Sequence, residues 1–486
     1  MKDILLTTIN AKWIHPSLAL RLLKANLGSL EDSCEIIEFA LRQPLAEKLE
    51  PFSAACAGEG SGGCLPKILG VSVSIWNHLA VIELLNELEI IWKDKKPVIV
   101  LGGPEVTHLP PDSGIFRHAD HVIRGEGETA FRMLCEKILH KEICAKQSKE
   151  EGIKSAYHLY TDEDTAKKLI YVESSRGCPF KCEFCLSSLD NKIYEFPLEP
   201  FLAEMEILIN RGVKTFKFLD RSFNVNIPRA LRIIEFFLAK IKVSPFTIHF
   251  EMVPSLFSQE LLDALTRFPP GTLRLEIGIQ TLNPEVCVRI NRPSNPEKEL
   301  AALRFLRDKT NAIIHADLIA GLPGENLASF ARGFNLLREA ILGSSNKSSL
   351  DKSSNNSNGS SLSNCLSNSL SSNGNSFPEI QLGILKLLPG TPIARHIETF
   401  GMRFSSSPPY DVEETSSINA GDIKRIKNFA RFWELIVNRG LMDISANGSI
   451  FENFLDLCDK LFNHFGRNYG IDKTELIKKL NSFSFK

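Results

Sequence analysis

Gly177-Cys178-Pro179-Phe180-Lys181-Cys182-Glu183-Phe184-Cys185 places three thiols at C-x3-C-x2-C spacing immediately after a short strand-like run, Tyr171 to Ser174. A loop of this length can turn three sulfurs toward one point. Three Cys are one short of the four that close a structural zinc site or an iron–sulfur cluster. A four-iron cluster held here would keep one iron without a protein ligand, and chemistry has room at that iron. Two plainer readings stand beside it: a zinc site completed by a His, and three cysteines that belong to a core.

Working outward from the triplet, strand-like runs recur at Thr215 to Leu219, Thr247 to Met252, Leu273 to Ile279, Ile313 to Ile319 and Gln381 to Leu387. Helical patterns separate them at Glu199 to Asn210, Pro228 to Ile241, Gln259 to Arg267, Glu297 to Asp308 and Leu327 to Ile341. Strand alternating with helix is the pattern of βα units around a parallel sheet. Six units are fewer than the eight of a closed barrel, so residues 165–400 read as an open, partial (β/α)6 TIM-type barrel with its site at the strands' C-terminal ends. Leu388-Pro389-Gly390-Thr391-Pro392 reads as a turn closing the sixth strand. Residues 343–376 hold 15 Ser and 8 Asn, too little apolar matter to offset the cost of ordering, and read as a disordered insertion in which Cys365 is a bystander. Three amphipathic patterns, Ile423 to Val437, Phe451 to Phe465 and Lys473 to Leu480, make residues 410–486 a small helical domain.

Before the barrel, Asp3 to Thr8, Ile68 to Ser74 and Pro97 to Leu101 read as strands and Ser17 to Leu27 and Ala80 to Trp92 as helices. Residues 1–145 are therefore a second α/β unit, doubly wound, whose ligand sits at the strand ends. The Gly- and Ala-rich Ser53 to Gly63, with Cys56 and Cys64 close by, reads as a loop insertion.

On the triplet and its place after the first barrel strand, the chain resembles the radical S-adenosylmethionine (radical SAM) superfamily. There the open iron chelates SAM, and an electron from the cluster cleaves it to a 5′-deoxyadenosyl radical. The resemblance implies that Cys178, Cys182 and Cys185 hold a four-iron four-sulfur cluster and that Phe184 meets the adenine. His249-Phe250-Glu251, Glu276-Ile277-Gly278-Ile279-Gln280, Asn291-Arg292-Pro293 and the run Asp317 to Glu325 resemble the subgroup containing oxygen-independent coproporphyrinogen oxidase and the methylthiotransferases. By that likeness Glu251, Gln280, Arg292 and Asp317 are further SAM-binding candidates. The chemistry suits them: a carboxylate accepts from the methionyl ammonium, Arg pairs with the carboxylate, and Gln or Asp takes ribose hydroxyls. Each alone also reads as a rim salt bridge. Asp220 and Arg221 fall at the mouth of the second strand, within reach of substrate or the cluster loop.

The first block resembles the cobalamin-binding domain that precedes the barrel in many radical SAM proteins. Its candidate residues are Ser72 and Ser74, Gly102 and Gly103, and Gly125, Glu126 and Gly127; tight turns use the same glycines. The Asn10-Ala11-Lys12-Trp13-Ile14-His15 opening is similar to cobalamin-domain radical SAM proteins with a C-terminal helical domain of unknown function. One departure is that Asp-x-His-x-x-Gly, which supplies a lower cobalt ligand in methionine synthase and the mutases, is absent. The reading is that cobalt has no side-chain His ligand, with His15 the residue that could overturn this and its plainer role the anchoring of Pro16 at a helix start.

Composition narrows the function classes. Lys and Arg total 57 against 58 Asp and Glu, a net charge of −1, so no basic field favours general nucleic-acid or lipid binding. No run approaches the apolar length of a membrane span and the N-terminus lacks a signal-peptide pattern, which reads as a cytoplasmic protein. Eleven Cys without a secretion signal argue for thiols rather than a disulfide framework. Three readings remain open: a cobalamin-dependent radical SAM enzyme, with methyl transfer to carbon; a radical SAM enzyme without cobalamin; and a non-catalytic iron–sulfur binding protein. The first two need an electron donor such as ferredoxin or flavodoxin, and the substrate and the catalytic residues are unassigned.

Overall fold

The computed structural model describes residues 1–56, 65–140, 152–190, 193–343, 378–442 and 449–483. The Ser/Asn-rich run, apart from Gly343, lies outside the described residues, as does Cys64. Helix Leu45–Cys56 runs into the stretch read as a loop insertion.

The first unit is a five-stranded, all-parallel sheet in the order β2-β1-β3-β4-β5: β1 Ile4–Asn10, β2 Cys34–Ala40, β3 Ile68–Ser72, β4 Val98–Gly102 and β5 His121–Val122. This is a doubly wound order with its reversal between β1 and β3. The apolar runs of its central strands serve two faces at once. Leu5 and Ile9 of β1 join Leu69, Val71 and the helix His78–Trp92 on one side, while Ile4 and Leu6 join Ile68, Val100, Leu20 and Phe131 on the other. Two strands were not read from the sequence, β2, an edge strand with two Glu among its seven residues, and β5, only two residues long; nor were the helices Leu45–Cys56, Pro104–His108 and Glu128–Ile138.

The second unit begins with β6 Ile170–Val172. A short antiparallel hairpin, β7 Ser175–Arg176 with β8 Tyr194–Glu195, then brackets the cysteine loop. There follow β9 Thr215–Phe218, β10 Thr247–Met252, β11 Leu273–Gln280, β12 Ile313–Ala320 and β13 Glu379–Ile384. Strands β6, β9, β10, β11, β12 and β13 pair parallel in chain order, and β6 and β13 are the two edges. The six-unit open barrel is thus observed, its sixth strand starting two residues earlier than the sequence reading.

Alternation decides which residues face the lumen. Ile248, Phe250, Leu273, Leu275, Ile277, Ile314 and Ala316 are fully buried against the outer helices. The opposite parity is polar: Lys217, His249, Glu251, Arg274, Glu276, His315, Asp317 and Glu379. A barrel interior is ordinarily filled by branched apolar side chains, and this one is lined by charge.

The tail forms the helices Ala420–Ile436, Ile450–Phe465 and Lys473–Asn481. They do not build a separate core. Phe334, on the barrel helix Leu327–Leu342, meets Phe429, Trp433 and Phe451 edge-on at ring distances of 5.2, 4.8 and 5.5 Å. Among the described residues no helix is long and apolar enough to cross a membrane.

Candidate active site

The cysteine loop is held at its root before anything binds to it. Asp220 is buried at the end of β9, and its carboxylate accepts from Ser174 N (2.9 Å), Ser174 Oγ (2.6 Å) and Ser175 Oγ (2.8 Å). Its role is therefore toward the cluster loop. Burial raises its carboxyl, and the serine donors oppose that rise.

Cys178, Cys182 and Cys185 line the mouth of a cavity of about 260 Å³ whose other walls include Phe184, Glu251, Gln280, Arg292 and Asp317. All eight residues singled out for cluster and SAM come to one place. Among the described residues no trio of His, Cys, Asp or Glu converges as ligands of a single metal ion would. The thiols surround a cavity, which suits a multi-iron group better than one zinc ion. Burial raises the Cys182 thiol, and the Arg292 guanidinium, with Nη1 at 4.0 Å from Sγ, pulls the other way.

The cavity wall carries two marks of a ligand seat. Gln280 has φ of +68° beside a register shift in β11, and a Cβ at Gly278 would strike the Gln280 amide, so glycine leaves that amide its position. Arg292 donates through Nη2 to Gly278 O, while its Nε is buried without a hydrogen-bond partner. The Arg292 guanidinium in the cavity wall fits a carboxylate such as that of SAM.

The lumen charges, of which Glu251, Glu276 and Asp317 line the cavity, pair in separate groups. Glu276 Oε2 lies 3.1 Å from Lys217 Nζ and 3.2 Å from His249 Nε2. Burial opposes ionisation of Glu276, but these two neighbours outweigh it and bring the carboxyl down to about 2. His315 bridges Asp317 (3.3 Å) and Glu379 (3.0 Å), and despite burial those carboxylates raise it to about 10. Glu251 pairs with Arg221 at 3.7 Å, but burial, aided by the nearby carboxylates of Glu276 and Asp317, pushes its carboxyl up to about 7. Lys217, His249, Glu276 and His315 had no assigned role in the sequence reading, although the polar alternation in Arg274-Leu275-Glu276 and His315-Ala316-Asp317 was there to be read.

A second cavity, about 490 Å³, opens at the strand ends of the first sheet. Ser72, Gly102, Gly103, Gly125, Glu126 and Gly127 line it, and Leu6, Leu20, Val100 and Phe131 form an apolar recess. A Cβ built on Gly102 would meet only Ile123 O, at 3.8 Å, and one on Gly125 nothing within 4 Å, so both leave backbone open to a bulky ligand. Ser74 is not part of this wall. Its N–H donates to Asn77 Oδ1 at 2.8 Å, which fixes the turn into the following helix. His15 does not line the cavity either: it faces Tyr171 of β6, whose hydroxyl shares a hydrogen bond of 2.8 Å with His15 Nδ1, rather than anchoring Pro16. Burial, then Lys12 and Lys217, lower the imidazole, and burial raises the Tyr171 phenol to about 12. The histidine lining the cavity is His108.

The two cavities adjoin. Ser187 and Arg221 belong to the walls of both. Arg176, on the cysteine-loop hairpin, ties the units together by pairing with Glu128 and Glu173 at 2.7 Å each and with Glu126 at 3.6 Å.

Residues 172–337, which include the thiol loop and four of the six barrel strands in full, match the Radical SAM superfamily. This chain carries a radical SAM domain. A radical SAM domain implies a four-iron four-sulfur cluster and SAM, and the eight-residue cavity is where this chain has the residues for them. The chain is 25% identical over 265 residues to the ribosomal protein uS12 methylthiotransferase RimO of Chlamydia pneumoniae, 51% of this chain and 54% of that one. It is 27% identical over 295 residues to an uncharacterized methyltransferase of Pyrococcus horikoshii, covering 54% and 61%. The chain spans about half the length of the curated relatives it matches. Among solved structures it is similar to the cobalamin-dependent S-adenosylmethionine radical enzyme OxsB with aqua-cobalamin bound, at a TM-score of 0.61 and 15% identity over 99% of this chain and 75% of that one. It is also similar to the radical S-adenosylmethionine methyltransferase TsrM of Kitasatospora setae, at 0.57 and 15% over 84% and 78%. At that identity the likeness is one of fold: a doubly wound unit, a radical SAM barrel and C-terminal helices in one chain.

Proposed function

We propose that this chain is a cobalamin-dependent radical SAM enzyme that transfers a methyl group to a carbon atom of its substrate. The carrying observation is the adjoining of the two cavities through Ser187 and Arg221, so that what occupies one reaches what occupies the other. When bound, the cluster supplies the electron that cleaves SAM to the 5′-deoxyadenosyl radical, and the corrinoid supplies a methyl carrier.

The chain's own residues then have separable tasks. Cys178, Cys182 and Cys185 hold the cluster. Arg292 pairs with the SAM carboxylate, Glu251 accepts from the methionyl ammonium, Gln280 and Asp317 take ribose hydroxyls, and Phe184 meets the adenine. Arg221, half out of both walls and paired with Glu251, marks the boundary between SAM and corrinoid. The open glycine backbone at 102 and 125, with the apolar recess of Leu6, Leu20, Val100 and Phe131, would hold a bulky corrinoid, which would supply the methyl carrier there. Ser72, Gly103, Glu126 and Gly127 complete that wall. An external one-electron donor of the ferredoxin or flavodoxin type reduces the cluster, and the protein works in the reducing cytoplasm.

The test is anaerobic reconstitution with iron, sulfide, hydroxocobalamin and SAM, followed by product analysis. Retained corrinoid, with 5′-deoxyadenosine and S-adenosylhomocysteine both formed under reducing conditions, is the expected result. A protein that makes 5′-deoxyadenosine but binds no corrinoid overturns the methyltransferase reading in favour of a cobalamin-independent radical enzyme.

A further inference from the structure

The open barrel has a seam. Strand β6, from which the cysteine loop leaves, and β13, from which residues 385–396 leave, are opposite edges that do not pair. The two departing segments nevertheless meet at one residue, Glu183, which sits between Cys182 and Cys185.

Glu183 is bonded through both its backbone and its side chain. Its N–H donates to Ile290 O at 3.0 Å, just before Arg292, and its carbonyl accepts from Ile393 N at 3.0 Å. The carboxylate accepts from Arg395 Nε at 3.0 Å and from His396 Nε2 at 2.8 Å, with Arg395 Nη2 2.5 Å away. The turn Leu388 to Pro392 delivers these partners, pinned by Thr391 Oγ1 donating to Leu388 O at 2.6 Å. Glu183 is only 6% exposed in its side chain, and a buried carboxylate persists only where charge-assisted bonds offset its lost hydration. Neither Arg395 nor His396 lines the SAM cavity or the glycine-walled one, so whatever they do at the site they do through Glu183.

We infer that Glu183 is a positioning residue which, clamped by Arg395 and His396, closes the barrel seam at its mouth and fixes the cluster loop against the SAM cavity. This rests on the reading that the loop holds a cluster. A displacement of about 1 Å in such a loop changes the approach of SAM to the open iron, which reactivity tolerates poorly.

The experiment uses the full chain, reconstituted anaerobically, with Glu183→Gln, Arg395→Ala, His396→Ala and the conservative Arg395→Lys. Two quantities are read: the rate of iron loss to excess chelator, and the change in the electron paramagnetic resonance spectrum of the reduced cluster on adding SAM. Arg403→Ala, which breaks surface pairs with Glu413 and Glu414, is the control. Glu183→Gln and His396→Ala should each speed iron loss by about tenfold, equivalent to about 1.4 kcal/mol, and blunt the SAM-induced spectral change. Their combination should do little more than either alone, because both remove one shared interaction. Arg395→Lys should recover part of the loss. If Glu183→Gln fails to fold, the partner-side variants carry the test, since they leave the cysteine loop's sequence intact. Folded variants with wild-type iron retention and an unchanged SAM response overturn the clamp. Wild-type protein that takes up no iron and sulfide overturns the cluster reading, and the clamp with it.

Discussion

The turn after β4 holds two adjacent glycines that the structure gives opposite jobs, and substituting each by alanine separates fold from binding. Gly103 has φ of +106° and ψ of 172°, a region in effect reserved for glycine, and its Cβ would stand 2.6 Å from Val73 O and 2.9 Å from Val73 N. The backbone strain costs about 1–3 kcal/mol and the forced shift of Val73 a comparable amount, so Gly103→Ala should destabilise the first unit by about 3 kcal/mol. For a unit of this size that lowers the melting temperature by roughly 10 °C. Gly102→Ala faces only Ile123 O at 3.8 Å, and stability should stay within about 1 kcal/mol of wild type, because alanine also restricts the unfolded chain. Its methyl, however, stands where the corrinoid is proposed to approach, and affinity should fall about tenfold or more. Circular dichroism melts read the first effect; absorbance of retained hydroxocobalamin after gel filtration, with equilibrium titration, reads the second. Equal melting of Gly103→Ala and wild type would refute the strain argument. Wild-type corrinoid affinity in Gly102→Ala would refute the seat.

Three further predictions test the site. Replacing Cys178, Cys182 and Cys185 together by Ala should abolish the brown colour of the reconstituted protein, and retention of full iron and sulfide by that variant would remove the cluster from this loop. Because burial raises the Glu251 carboxyl to about 7, it is neutral below that pH and ionised above. SAM affinity should therefore rise about tenfold between about pH 6 and 8. Glu251→Gln should flatten the profile, and an unchanged profile in that variant would sink the assignment. The same raised value means that ligand-free protein loses stability as pH rises through about 7, since ionisation then opposes folding. In the cob(II)alamin form, electron paramagnetic resonance should show no nitrogen superhyperfine splitting, and neither His15→Ala nor His108→Ala should change the spectrum. Splitting that vanishes in either variant identifies a cobalt ligand and contradicts the His-free lower face.

Much of the fold was legible because βα units write themselves twice, as apolar runs for strands and as 3.6-residue periodicity for helices. Thr247–Met252 was read to the residue, and the other five barrel strands within three. Strand β2 was not, because an edge strand buries too little to show a continuous apolar run. The triplet, Glu251, Gln280, Arg292 and Asp317 were found because they carry a local pattern, and the fold brings them to one cavity. Ser74 carried no such pattern and turned out to serve the following turn. The lumen charges escaped for another reason: Lys217, His249, Glu276 and His315 are adjacent only through strand register, and each by itself looks like the solvent face of an amphipathic strand. The Glu183 clamp spans more than two hundred positions of chain and leaves no local mark in either half.

The way the tail packs bears on how this protein can be cut. Since Phe429, Trp433 and Phe451 are stacked into the same apolar mass as the barrel helix carrying Phe330 and Phe334, a boundary drawn near residue 410 on grounds of sequence character crosses a continuous core. A fragment ending there would bare an aromatic surface on the barrel's outer wall, on the side of the sheet away from the lumen, and would aggregate before its chemistry could be assayed. The helical tail is a buttress for the barrel, sharing its core along the outer wall.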